Sequence, residues 1–250
     1  MFGYLRVFLT VALLAGVTAG IVNWAIHMFG TTPLILAAEV YETAGEAPEA
    51  AAPAEPAAIA EVVTQEAADG HDHEHDAEAW APADGWERSL YTLGADVVTG
   101  VGFALLLTAA IVFFGKGADW RRGLLWGLAG FACFTLAPAF GLPPELPGTE
   151  AAPLLERQLW WIGTVIATGA GLYAAARLRN IAGYAIAVVL IALPHVIGAP
   201  HPETPGGLAP EELEHQFIVV AVATSLVFWL VLGVLTGAIF KRYAGEAVAA

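Results

Sequence analysis

Trp86-Glu87-Arg88-Ser89-Leu90-Tyr91-Thr92-Leu93-Gly94 returns in altered form as Leu155-Glu156-Arg157-Gln158-Leu159-Trp160-Trp161-Ile162-Gly163. The match runs on from Thr99-Gly100-Val101-Gly102 to Thr168-Gly169-Ala170-Gly171, and a fainter third copy opens at Leu213-Glu214-His215-Gln216-Phe217. A long apolar run follows each copy. Each copy therefore marks the outer end of a membrane helix in a chain of repeated hairpins.

Working outward from these copies, the whole chain is too apolar for one soluble core, with 58% hydrophobic residues in 250. Spans of about 17 to 25 apolar residues fall at Leu5 to Phe29, Ser89 to Gly115, Gly123 to Gly141, Gln158 to Ala176, Ile181 to Ala199 and Gln216 to Phe240. The expected fold is an all-α integral membrane protein with six transmembrane helices, arranged as three repeated hairpins around a pseudo-threefold axis normal to the membrane. Residues 1–38 hold the first helix, 39–87 an acidic extracytoplasmic loop, and 88–250 the other five helices.

Lys and Arg gather on the cytoplasmic side of spans joined by short loops. With the N-terminus inside, Arg6, Lys116, Arg121, Arg122, Arg177, Arg179, Lys241 and Arg242 lie inside, and Arg88 and Arg157 outside. Both termini are then cytoplasmic, in a bacterial inner membrane. A cleaved signal peptide is the rival reading of the first span, with Ala37-Ala38 resembling a cleavage site. The apolar run is longer than a usual signal core, and Arg6 is its sole nearby basic residue.

The loop holds fourteen of the 24 acidic residues between Glu39 and Glu87, and neither Lys nor Arg before Arg88. With its Ala, Pro and Glu content it cannot bury enough apolar surface to fold alone, so it reads as disordered. Within it lies His71-Asp72-His73-Glu74-His75-Asp76. Imidazoles alternating with carboxylates supply nitrogen and oxygen donors for divalent Zn, Co, Ni or Cu, with little choice among them. A flexible tract of this kind would bind weakly and exchange quickly, gathering metal when it is scarce. The plainer alternative is a solvated acidic loop. The single Cys133 lies in the third span and allows no disulfide within the chain.

The two short outer loops also align, Phe140-Gly141-Leu142-Pro143-Pro144-Glu145-Leu146-Pro147-Gly148 with Ile197-Gly198-Ala199-Pro200-His201-Pro202-Glu203-Thr204-Pro205-Gly206. This register puts His27, Pro138 and His195 at one equivalent position. A histidine at a span end is more often an interfacial or packing residue than a ligand. The shared level of His27, His195, His201 and His215 nevertheless favours a cation site at the outer mouth, since neutral imidazole is the commonest metal ligand.

Asp96 is the costliest residue in the spans. Eight residues beyond Arg88, it lies about 12 Å down its helix, near the middle of a core about 30 Å thick. An ionised Asp there costs about 2.5 to 3.5 kcal/mol on insertion scales. The second copy has Val165 in its place, so the fold does not demand an acid. Asp96 and Asn23 are read as the transport pathway. The structural alternative is a protonated Asp96 bonded to another helix through Asn23. Arg88 and Arg157 read as structural, anchoring helix starts or pairing across the bundle. Gly100, Gly102, Gly169 and Gly171 mark close helix contacts. Trp24, Trp80, Trp86, Trp120, Trp126, Trp160 and Trp161 suit an interfacial belt.

The chain resembles the CbtA family over nearly its whole length. The resemblance rests on the N-terminal span, the His/Asp loop, Asp84-Gly85-Trp86-Glu87-Arg88, Leu142-Pro143-Pro144-Glu145-Leu146-Pro147-Gly148, Glu156-Arg157-Gln158-Leu159-Trp160-Trp161 and Pro194-His195-Val196-Ile197-Gly198-Ala199-Pro200-His201. It implies a cobalt permease component associated with cobalamin synthesis, working with CbtB, a small single-span partner bearing a His-rich motif. That family is usually described with five spans. Co²⁺ would be the substrate, and no permanently bound cofactor is expected.

Two other classes stay open. A membrane electron carrier could use His27 and His195 as haem ligands, although the chain has no CxxCH motif. A metal-sensing or scaffold subunit would leave transport to a partner. No nucleophile–base pair or phosphate loop points to an enzyme. The net charge of −14 gives no footprint for nucleic acid.

Overall fold

The computed structural model describes residues 2–46, 82–114, 119–204 and 206–249. Their regular structure is helical, apart from one isolated β-bridge. The helices are α1 (Phe2–Phe29), α2 (Thr31–Glu46), α3 (Trp86–Phe114), α4 (Trp120–Phe131), α5 (Ala137–Ala139), α6 (Leu154–Leu178), α7 (Ile181–Ile197) and α8 (Glu211–Ala249). A π-helical turn, Ala132–Leu136, joins α4 to α5.

Among the described residues, five segments are long and apolar enough to cross a membrane: Leu5–Phe29, Trp86–Phe114, Trp120–Ala139, Leu154–Leu178 and Glu211–Tyr243. The remaining expected span, α7, is apolar but has 17 residues, at the lower limit for crossing. Caps fix that length. The Asn180 side chain accepts from the Gly183 N–H at 2.8 Å to start α7, and Gly198, with φ of 94°, ends it.

Small residues decide how the helices meet. On α1, Ala12, Gly16, Ala19 and Gly20 are buried; a Cβ on Gly20 would lie 2.6 Å from the Asp96 carbonyl oxygen and the Val97 Cα on α3. Gly16 meets Gly100 and Val101 in the same way, so the two helices run antiparallel with backbones nearly touching. Gly123 and Gly127 of α4 face Gly233 and Gly237 of α8, and a Cβ on Gly237 would lie 2.8 Å from the Gly123 Cα. In lipid, where apolar side chains gain little by meeting, such close approach supplies the packing contacts that hold helices together.

The main packed pairs are α1 with α3, α1 with α8, α4 with α8, and α6 with α7. This is not simply the order of hairpins along the chain, because α4 takes its chief partner from the far end of the sequence. Around the α1–α3–α8 core, Phe103, Phe134, Phe228 and Trp229 form an aromatic cluster, with Phe134 stacked on Trp229 at 5.6 Å. Pro138 explains the π-turn beside it. The proline has no N–H, and its ring crowds the carbonyl four residues back; the ladder widens so that the Ala137 N–H donates to the Ala132 carbonyl. Thr135 thereby meets α8: its Oγ1 is 2.8 Å from Ser225 Oγ and accepts from Trp229 Nε1 at 3.3 Å.

Chain direction puts Gly30, Trp86, the 140–153 loop and the 198–210 loop at one end of the bundle, called here the upper end. The two loops pair there: the Glu150 N–H donates to the Gly206 carbonyl at 3.0 Å and the Leu208 N–H to the Gly148 carbonyl at 3.3 Å. Beneath them, Leu146, Ala209 and Phe217 bury Ala38 of α2. Helix α2 therefore reaches through residues 39–46, which the composition assigns to a disordered loop. Docking of Ala38 supplies the burial that those residues lack on their own. The tract holding His71, His73 and His75 lies outside the described residues.

Candidate cation site

The close α1–α3 seam brings three polar side chains together. Gly16, Gly20, Asn23 and His27 follow one another at spacings of four, three and four, which keeps them on one face of α1. Because Gly20 admits α3 so closely, Asn23 and His27 reach Asp96. Asn23 Nδ2 donates to Asp96 Oδ1 at 2.8 Å, and His27 Nδ1 lies 3.3 Å from Asp96 Oδ2. The Asp96 side chain is 10% exposed and that of His27 is 27% exposed, so the site is buried at the acid and open toward the upper end at the imidazole.

Two oxygens in this group have no hydrogen-bond donor. Asn23 Oδ1 and Asp96 Oδ2 are both buried and unsatisfied; the His27 approach to Oδ2 is close but lacks hydrogen-bond geometry. Buried acceptors without donors are costly and call for an explanation, an ion among them. A carboxylate, an amide oxygen and an imidazole nitrogen form a mixed O/N donor set suited to a borderline divalent cation. Two turns above Asp96 on α3, Ser89 stitches the same two helices: its carbonyl accepts from Trp24 Nε1 at 3.1 Å and its Oγ donates to Met28 Sδ at 3.4 Å.

The other expected ligands lie elsewhere. His195 packs edge-on against Trp160 at 5.7 Å and Phe140 at 6.2 Å, while Trp160 Nε1 donates to the Pro194 carbonyl at 3.1 Å. Its surroundings are those of an interfacial packing residue. His201 and His215 are exposed. Among the described residues, no three His, Cys, Asp or Glu side chains converge to hold a metal ion. The equivalent chain positions of His27, Pro138 and His195 thus do not produce a histidine cluster: Pro138 is buried in α5, His27 turns to Asp96, and His195 joins an aromatic group.

The arginines tie the starts of α3 and α6 to neighbouring segments. Arg88 binds Glu39 of α2 through both guanidinium nitrogens and Asp84 at 3.2 Å; Arg157 binds Glu145 at 2.8 Å. The hydrogen bonds from Arg88 hold the Glu39 carboxyl below its ordinary value of 4.5. Glu39 was hidden from sequence reasoning within the acidic run. Its only distinguishing signal is its place beside the apolar Leu34-Ile35-Leu36-Ala37-Ala38 stretch, which continues the helical pattern past Pro33.

Apolar helices of membrane-spanning length, packed through glycine faces with the buried acid Asp96 between two of them, define a multi-pass membrane protein. The chain belongs to the CbtA family, described as "Probable cobalt transporter subunit (CbtA)", whose model matches residues 5–241. A cobalt transporter subunit works with a metal-ion substrate and further subunits. No curated protein and no solved structure matches the chain.

Proposed function

We propose that this chain forms the membrane path for Co²⁺, or a closely similar divalent cation, with Asn23, His27 and Asp96 as the site where the ion sheds part of its hydration. The observation that carries this reading is the Asp96 carboxylate, held between two membrane helices with one oxygen lacking a hydrogen-bond donor and an imidazole 3.3 Å away. A cation lowers the cost of that buried charge, and the carboxylate replaces water in the cation's shell. Transport runs inward and supplies cobalamin synthesis. The bundle has six spans in three hairpins, α7 included, with both termini cytoplasmic and the upper end outside. His71, His73 and His75 collect metal ahead of the path, His201 and His215 lie at its outer rim, and a CbtB-type single-span subunit completes the transporter. No catalytic step is assigned.

A second reading has its own support. The Asn23 Nδ2 hydrogen bond to Asp96 Oδ1 at 2.8 Å ties α1 to α3, as a purely structural Asp96 would, in a scaffold subunit whose partner carries the metal. Radioactive Co²⁺ uptake separates the two. Asp96→Asn should abolish uptake at every metal concentration while the protein stays in the membrane, whereas Glu150→Gln, whose carboxylate accepts from Thr204 at 2.6 Å in an exposed loop, should have a mild effect. Normal uptake by Asp96→Asn would leave Asp96 as a packing residue.

A further inference from the structure

Above the Asp96 site lies a cavity of about 680 Å³ whose lining includes Glu39, Asp84, Arg88, Tyr91 and Thr92. Arg88, Thr92 and Asp96 follow at intervals of four on α3, so the cavity wall descends the face that carries the buried acid. Asp96 is one turn, about 6 Å, beyond Thr92. Helical side chains lean toward the N-terminus of their helix, which for α3 is the cavity end, and the contact with His27 shows the carboxylate turned that way. Thr92 Oγ1 donates to the Arg88 carbonyl at 2.9 Å, and the Arg88 guanidinium, bonded to Glu39 and Asp84, stands at the cavity mouth above both Thr92 and Asp96.

We propose that Arg88 is a gate residue, a tethered cation that occupies Glu39 at the cavity mouth and is displaced from it by an incoming divalent cation. This rests on the reading of Asp96 as the cation site. Two carboxylates, Glu39 and Asp84, meet one guanidinium, so the mouth carries an excess negative charge that attracts cations while its best ligand position is already filled. The Arg88 and Glu39 side chains are 32% and 30% exposed. An exchange at that depth is open to water and requires a side chain to swing, with no change in the helix backbone. Ala38, the residue before Glu39, is fully buried under Leu146, Ala209 and Phe217, so the carboxylate stays in place when the guanidinium leaves.

A gate and a structural ion pair predict different signs. Removing the competing cation with Arg88→Gln should lower the half-saturating Co²⁺ concentration for uptake by roughly twofold to fivefold, the range expected of a partly exposed ion pair. Glu39→Gln removes the receiving carboxylate and should raise that concentration by a similar factor. Arg88→Lys keeps the charge and should resemble the wild type. All are normalised to protein present in the membrane. Shifts of Arg88→Gln and Glu39→Gln in the same direction would overturn the gate and leave a structural tie. If uptake proves independent of Asp96, the underlying site fails instead, whatever the sign of the Arg88 and Glu39 effects.

Discussion

Residue chemistry separates the acids of this protein into two kinds. Asp96 is buried with an incomplete set of partners, whereas Glu39, Glu145 and Glu150 have partners at the surface. The Glu39 carboxyl is held below 4.5 by the Arg88 hydrogen bonds. A carboxyl with a depressed native value contributes stability that is complete above its unfolded value and is lost as pH falls through the native one. The thermal stability of the purified wild type should therefore exceed that of Glu39→Gln near neutral pH. That advantage should shrink as pH falls through about 4.5, where the unfolded carboxyl is half protonated. An advantage unchanged well below that range would assign it to packing of α2.

Among the elements, α1 has the strictest requirements. Its face combines Gly16 and Gly20, which admit the α3 backbone, with Asn23 and His27, which use that closeness to reach Asp96. Gly20→Leu would push α3 away from backbone contact and cost about 1–3 kcal/mol, as overpacking in a tight interface does. Metal uptake should fall with stability, because the same displacement separates Asn23 from Asp96. A leucine at Gly94, where an added Cβ meets nothing within 4 Å, should be tolerated in both assays. Equal effects at the two glycines would show that helix propensity, not close approach, sets the seam. The π-turn is an element-scale effect of another kind, since Pro138 alone alters the ladder and directs Thr135 to Ser225 and Trp229.

For the molecule as a whole, α7 decides the topology. If this 17-residue helix crosses, the number of spans is even and both termini share one side. A C-terminal fluorescent-protein fusion should then be bright and a C-terminal alkaline phosphatase fusion inactive in cells. The opposite pair of results would mean five spans, with α7 lying along α6 without crossing. The packing makes α7 sensitive to this choice, since its main partner is α6 while α1, α3, α4 and α8 interlock with one another.

Local pattern was enough to determine much of this protein. Apolar length located five of the six expected spans as helices long enough to cross a membrane, because transfer into lipid is a property of each segment alone. The expense of an acid in such a segment singled out Asp96, and the structural alternative to a transport role had Asn23 as the residue bonded to it. Family membership was also legible in the motifs. Tertiary structure decided the rest. Histidines at equivalent chain positions went to different neighbours because α1 is drawn against α3 by glycines, while α7 meets the aromatic side chains of α6 and the adjoining loop. Glu39 left the acidic run to join Arg88 because Ala38 found a buried place under two loops far along the chain. Pairing of α4 with α8 depended on matching glycines more than a hundred residues apart, a complementarity of surfaces that no single segment displays.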